Sequence, residues 1–132
     1  GADVIKVDFG EQIEPHLQFQ EYDGTTMHNL YPLLNSKAAF EVVEETNGEG
    51  IIWARGAYAG SQRYPVHWSG DNSANYTNML TSLRSGLSLG LCGFSFWSQD
   101  TGGFGGTCTD DLYIRWTQLS IFQSQNRFLA RF

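Results

Sequence analysis

Four charged residues stand where short apolar runs give out: Asp8 after Val4-Ile5-Lys6-Val7, Arg55 after Ile51-Ile52-Trp53-Ala54, Asp71 after Val66-His67-Trp68, and Asp100 after the run from Leu91 to Trp97. Two carboxylates on neighbouring strand ends can divide the work of splitting a glycosidic bond with retention. One attacks the anomeric carbon and the other protonates the leaving oxygen, their carboxyls about 5 to 5.5 Å apart. The two roles need different surroundings. A nucleophile stays ionised, which Lys6 or Arg55 would favour; an acid keeps its proton, which the indole of Trp68 and the charge of Asp8 would favour. Spacing alone serves a plainer reading equally well, in which both acids are turn or helix-capping residues and Gly10 permits the first turn.

The elements that would position these residues alternate. After the first strand, a polar connection with Pro15 and Asp23-Gly24 leads to a helix capped by Thr25, with Met27, Leu30, Leu34, Ala38 and Val42 as its apolar stripe and Asn47-Gly48 as its stop. Pro32 should kink this helix near Tyr31 or mark its first turn. Strands at Ile51–Arg55 and Val66–Trp68 follow. A second helix is predicted from Ser73 to Leu89, with Tyr76, Met79, Leu80, Leu83 and Leu87 on one face and Gly90 as its cap. Leu91 to Trp97 returns to strand character, Gly102 to Gly106 form a mobile loop, and Thr109 caps a last helix with Leu112, Trp116, Leu119 and Phe122 inward. Strand and helix in turn predict an α/β fold with a parallel sheet, whose ligand site lies at the carboxyl ends of the strands, where Asp8, Arg55, Asp71 and Asp100 fall. About four parallel strands with covering helices amount to a partial (β/α)8 TIM barrel, since a closed one typically takes about 250 residues. The 132 residues form a single segment with no internal boundary.

Composition narrows the function classes. A net charge of −6 repels phosphate backbones and anionic lipid, so neither nucleic acid nor a membrane surface is an expected partner. No apolar run is long enough to span a bilayer. Cys92 and Cys108 are too few for a disulfide framework and lie off zinc-ligand spacing with His16, His28 and His67; both are expected as free thiols, Cys92 buried. Neither metal nor cofactor is expected. The glycine-dense loop lacks the Lys-Ser/Thr ending of a phosphate-binding loop, and no Gly-x-Gly-x-x-Gly follows the first strand, which sets nucleotide binding aside. His67 reads as a hydrogen-bonded core residue or one supporting the site from behind rather than a catalyst, His28 as orienting or capping the helix start, Glu11 as shaping the loop by pairing or hydrogen bonding with a minor part in the site, and Gln62 and Arg63 as either rim or loop-holding residues. Localisation and oligomeric state are not legible.

Four stretches together carry a resemblance: Lys6-Val7-Asp8-Phe9-Gly10-Glu11, Met27-His28-Asn29-Leu30-Tyr31, the run from Ala59 to Asp71 ending Val66-His67-Trp68-Ser69-Gly70-Asp71, and Phe96-Trp97-Ser98-Gln99-Asp100-Thr101-Gly102-Gly103-Phe104. In order and with sensible gaps, they resemble glycoside hydrolase family 31, especially its α-xylosidase and α-glucosidase members, over nearly the whole chain. The resemblance implies a (β/α)8 barrel without metal that hydrolyses α-linked glycosides with retention. It implies Asp8 as nucleophile and Asp71 as acid/base, with Lys6, Phe9, Arg55, Trp68 and Asp100 as contacts to the bound sugar and an oligosaccharide or α-glycoside as substrate.

The same resemblance implies that the chain covers the central to C-terminal part of the barrel, from its fourth strand to just past the helix after the seventh. Where the family carries Arg-x-His, this chain reads Arg127-Phe128-Leu129, so either the site differs there or the residues from about Gln123 are atypical. Isolated, an open half barrel with two unpaired edges is expected to be inactive or marginally folded. The alternative to an enzyme is a non-catalytic fragment or sugar-binding piece of a family 31-like protein.

Overall fold

The computed structural model describes residues 2–129, and the chain divides into two compact units, Gly1–His67 and Trp68–Phe132. In the first, β1 (Ile5–Val7) pairs in parallel with β2 (Ile52–Ala54), Ile5 opposite Ile52 and Val7 opposite Ala54. Parallel neighbours need a long crossover, and α1 (Gly24–Asn47) supplies it. A 3-10 turn at Ser61–Arg63 leads on to β3 (His67–Trp68), where His67 stands in parallel register with Ala54. Val7, Val43, Ile52, Ala54 and Tyr64 form the core of this unit, with Ile5, Leu33, Ala39 and Phe40 packed around them. The Phe40 and Tyr64 rings meet in a tilted pair 5.3 Å between centroids.

Helix α1 departs from expectation at its start and on its buried side. Asp23, not Thr25, is the N-cap, its carboxylate accepting from the Thr26 amide at 2.7 Å. Gly24 lies so near the preceding loop that a Cβ would sit 2.2 Å from the Glu14 carbonyl oxygen. Pro32 marks neither the first turn nor an end; it lies buried inside the helix. Of the expected stripe only Met27 is buried, while Leu34 and Val42 are exposed. Pro32, Ser36 and Val43 are buried instead, and Leu33, Ala39 and Phe40 pack against the core. Gly48, at φ 82, ends the helix as expected.

In the second unit, β4 (Trp97–Ser98) neighbours β3, the Ser69 amide donating to the Ser98 carbonyl at 3.1 Å. The helix between them, α2 (Tyr76–Leu91), is capped by Asn75. It runs past Gly90 to Leu91, so the strand expected from Leu91 shrinks to two residues. Gly93, not Gly90, stops it: at φ 86 its amide reaches the Gly90 carbonyl while the Phe94 amide reaches that of Leu89, the paired bonds of a Schellman ending. Leu91 is left 93% exposed, and Tyr76, Leu80 and Leu87 of the apolar stripe are also exposed among the described residues.

A second small sheet pairs β5 (Asp100–Thr101) in parallel with β6 (Arg127–Phe128) across α3 (Asp110–Ser120). Thr109 caps α3 as expected, its hydroxyl accepting from the Leu112 amide at 3.3 Å, with Asp110 and Asp111 at the positive end of the helix dipole. Leu112 and Trp116 turn inward with Cys108, and Ala74, Met79 and Tyr113 pack against them. Phe122 does not: it is 86% exposed. The cysteine expectation is half reversed: Cys108 is the buried thiol and Cys92, at the end of α2, is exposed. Among the described residues no helix is long and apolar enough to cross a membrane.

Two outcomes follow, both read by amide exchange in the complete polypeptide. Asp23→Ala should speed exchange in the first turn of α1, whose cap it removes, while leaving α2 unchanged. His67, 3% exposed, is held neutral by burial, which pushes its imidazole down to about 4 from 6.5. Between those values the unfolded chain binds the extra proton, so stability is present above about 6.5 and drains away as pH falls toward 4, by up to about 3 kcal/mol. After correction for intrinsic rates, protection of Ile52 and Ala54 should decline over that window, and His67→Asn should flatten the decline.

Candidate active site

The exit of β1 gathers four of the residues singled out above. Lys6 lies within the strand and Asp8 just beyond it, where Phe9 at φ 60 and Gly10 at φ 101 turn the chain. Phe9 is the one described non-glycine residue with positive φ, a conformation that L side chains rarely adopt. The parallel register carries the end of β2 to the same place: the Arg55 amide donates to the Val7 carbonyl at 3.0 Å, and its guanidinium reaches the loop after β1.

The Asp8 carboxylate is held by three donors. Its Oδ1 accepts from the Phe9 amide at 3.0 Å and from Arg55 Nη1 at 3.2 Å, and its Oδ2 faces Lys6 Nζ at 3.4 Å. Partial burial pushes this carboxyl up, but the Phe9 amide, the Lys6 ammonium and the Arg55 guanidinium together outweigh it and hold Asp8 below the ordinary carboxylate range. The side chain keeps 39% of its surface exposed. This is an ionised, pinned and approachable carboxylate, which is what a nucleophile requires.

Arg55 makes a second ion pair, its Nε donating to Glu11 Oε1 at 2.9 Å, and its guanidinium carbon stands 4.8 Å from the centroid of the Phe9 ring. The expected pairing of Glu11 is thus present. Its partner, 44 positions away in the sequence, had no local signal. His28 does orient the helix start, with Nδ1 2.8 Å from the Ile13 carbonyl oxygen. Gln62 and Arg63 take the loop-holding part of their two readings: Gln62 Oε1 accepts from the Gly60 amide at 2.8 Å, and Arg63 Nε donates to the Gly60 carbonyl at 3.2 Å.

In the second unit Trp68 is buried in β3, and Asp71 is exposed on the turn that follows, after Gly70 at φ 75. Asn72 stiffens this turn, its Nδ2 donating to Ser69 Oγ at 2.5 Å and to the Gly70 carbonyl at 3.3 Å. The glycine-dense loop is tied to the same turn. The Asn72 carbonyl accepts from the amides of Phe104 and Gly105, and the Gly105 carbonyl accepts from Ala74. Gly103, at φ 87, passes so close that a Cβ would stand 2.6 Å from the Ala74 backbone. Asp100 is fully buried, with Oδ1 accepting from Arg127 Nη1 at 3.2 Å. Sequence reasoning missed that pairing, since the two residues meet only through β5 and β6. Lys6, Asp8, Phe9 and Arg55 are therefore brought together in one unit, whereas Trp68, Asp71 and Asp100 belong to the other.

Known proteins are similar to this chain in sequence and in fold. The family model described as the glycosyl hydrolases family 31 TIM-barrel domain matches residues 1–131. An alpha-xylosidase of Emericella nidulans is 43% identical over 132 residues, covering 96% of this chain and 17% of that protein. Alpha-xylosidase XylQ of Lactiplantibacillus pentosus is 38% identical, covering 97% and 18%. Among solved structures, the cycloalternan-forming enzyme from Listeria monocytogenes in complex with a pentasaccharide substrate superposes with a TM-score of 0.89 at 29% identity, over 98% of this chain and 13% of that one. The cycloalternan-degrading enzyme from Trueperella pyogenes in complex with a covalent intermediate superposes with a TM-score of 0.84 at 26% identity, over 96% and 18%. The chain spans less than a fifth of the length of the curated relatives it matches. With a match along nearly its whole length and parallel strands alternating with helices, the chain belongs to glycosyl hydrolases family 31, within its TIM-barrel domain.

Proposed function

We propose that this chain supplies the catalytic pair of a retaining α-glycosidase acting on α-xylosides or α-glucosides, with Asp8 as nucleophile and Asp71 as acid/base, and that it forms the central to C-terminal part of the catalytic barrel of a larger enzyme. The observation that carries the reading is the Asp8 site: a carboxylate held ionised by the Phe9 amide, Lys6 and Arg55 at the carboxyl end of a parallel strand. The names of the relatives, two of them alpha-xylosidases, support the substrate class. The covalent intermediate named for the Trueperella enzyme is in keeping with a double displacement.

In the first step an Asp8 oxygen attacks the anomeric carbon as the bond to the leaving oxygen breaks, and Asp71 gives that oxygen its proton. The aglycone departs as an alcohol, leaving the sugar esterified to Asp8. Asp71, now a carboxylate, takes a proton from water, whose oxygen attacks the same carbon and releases Asp8. Lys6 and Arg55 disperse the charge that returns to Asp8 as the ester breaks. Trp68 and Asp100 complete the sugar-binding set, with Phe9 beside the nucleophile.

Trapping the complete polypeptide with a fluorinated α-xylosyl fluoride should add one sugar mass to the peptide that holds Asp8, and Asp8→Ala should remove both label and turnover. Turnover of Asp8→Ala within about tenfold of the parent would sink the nucleophile assignment. Asp71→Ala should depend on the leaving group, losing about 100-fold or more on an alkyl α-xyloside but much less on an aryl one whose departing oxygen needs little protonation. Equal losses on both would remove Asp71 as the acid.

A further inference from the structure

Resting on the reading of Asp8 as nucleophile, we infer that Glu11 is a positioning residue that sets how Arg55 grips Asp8 and thereby keeps one Asp8 oxygen open for attack. Arg55 meets two carboxylates at once: Nε donates to Glu11 Oε1 at 2.9 Å and Nη1 to Asp8 Oδ1 at 3.2 Å. A guanidinium is planar and its donors are fixed relative to one another, so the shorter bond at Nε sets the plane in which Nη1 is offered. The Phe9 ring, 4.8 Å from the guanidinium carbon, limits movement out of that plane.

What this arrangement prevents matters as much as what it holds. Arg and a carboxylate left alone favour a bidentate fork, with both oxygens bonded. With its Nε edge turned to Glu11, Arg55 reaches Asp8 through Nη1 at Oδ1, and Oδ2 keeps a looser contact with Lys6 at 3.4 Å. Oδ2, held by the longer contact to Lys6, is then the oxygen offered for the ester bond. Glu11 is committed to the task in turn: its Oε2 is shut away from solvent and makes no hydrogen bond among the described residues, so the pairing with Arg55 is what holds this carboxylate in place.

A residue acting through Arg55 leaves a signature that general loop support does not. In the complete polypeptide, assayed with para-nitrophenyl α-xyloside, Glu11→Ala should lower kcat by about 100-fold, as small misplacements of reacting groups do, with KM changed by less than about threefold. Glu11→Gln, which keeps an oxygen for Arg55 Nε, should recover most of the loss. Combined with Arg55→Lys, which cannot bridge two carboxylates, Glu11→Ala should add almost nothing further. A kcat for Glu11→Ala within about threefold of the parent, or full additivity with Arg55→Lys, would overturn the inference. Should the alanine variant lose its cooperative thermal transition, Glu11→Met, which keeps the bulk but removes the acceptor for Arg55 Nε, takes its place alone and on Arg55→Lys, and full additivity there overturns the inference equally. Asp8→Ala in the same assay separates the layers: an active Asp8→Ala removes the functional reading, whereas an inactive Asp8→Ala beside an unaffected Glu11→Ala removes the role of Glu11 alone.

Discussion

A guanidinium at the end of β2, shared between Asp8 and Glu11, is the interaction around which the first unit is arranged. It can form only because β1 and β2 are parallel neighbours in a register that sets Val7 against Ala54, so that the next residue of each strand leaves the sheet on the same side. That register in turn depends on α1 crossing between them and on Ile52 and Ala54 being fully buried beneath it. A slip of one residue would send every side chain of the strand to the opposite face and carry the guanidinium away from both acids. Core and site are thus two results of the same pairing.

The ion pairs are not a source of much stability. Asp8 and Glu11 each keep about two-fifths of their side-chain surface in solvent, and such pairs contribute little net free energy. Their effect is on geometry and charge. The Phe9 amide and the cations beside Asp8 together offset the rise that its partial burial would cause, and the positive φ of Phe9 sets an aromatic face against the guanidinium. A side chain in a sparsely populated backbone conformation beside a reactive group is a recurrent feature of sites that need a fixed shape.

Much of this was legible in the residues themselves. The strand exits at Asp8, Arg55 and Asp71, the alternation of strand and helix and the nearness of Lys6 and Arg55 to Asp8 followed from local apolar runs and the charge that ends each one; Phe9 entered only through the family resemblance, and Asp100, expected at an exit, instead opens β5. What escaped was everything decided by packing at a distance. The buried side of α1 includes Pro32 and Ser36, a proline and a polar residue that hydrophobic spacing does not pick out. The end of α2 is set by Gly93, where two glycines three positions apart offered equal stops and hydrogen bonding chose the second. Strands β5 and β6 are two residues each, too short for any periodicity, and the glycine-dense loop between β5 and α3 gains its order from bonds to Asn72 that composition does not reveal.

Asp100 and Arg127 bear on how this part of the chain can change over evolutionary time. A fully buried carboxylate met by a guanidinium costs more to half-dismantle than to keep or to replace whole, because removing the cation leaves charge in a place that disfavours it. Two uncharged residues of similar volume could fill the same space at little loss of stability, though not of the sugar contact proposed for Asp100, and each single step toward them passes through a less stable state. The two positions are 27 residues apart in sequence and opposite one another across β5 and β6. They are therefore expected to persist or vanish together in descendants of this chain, a valley between two acceptable states that drift crosses rarely.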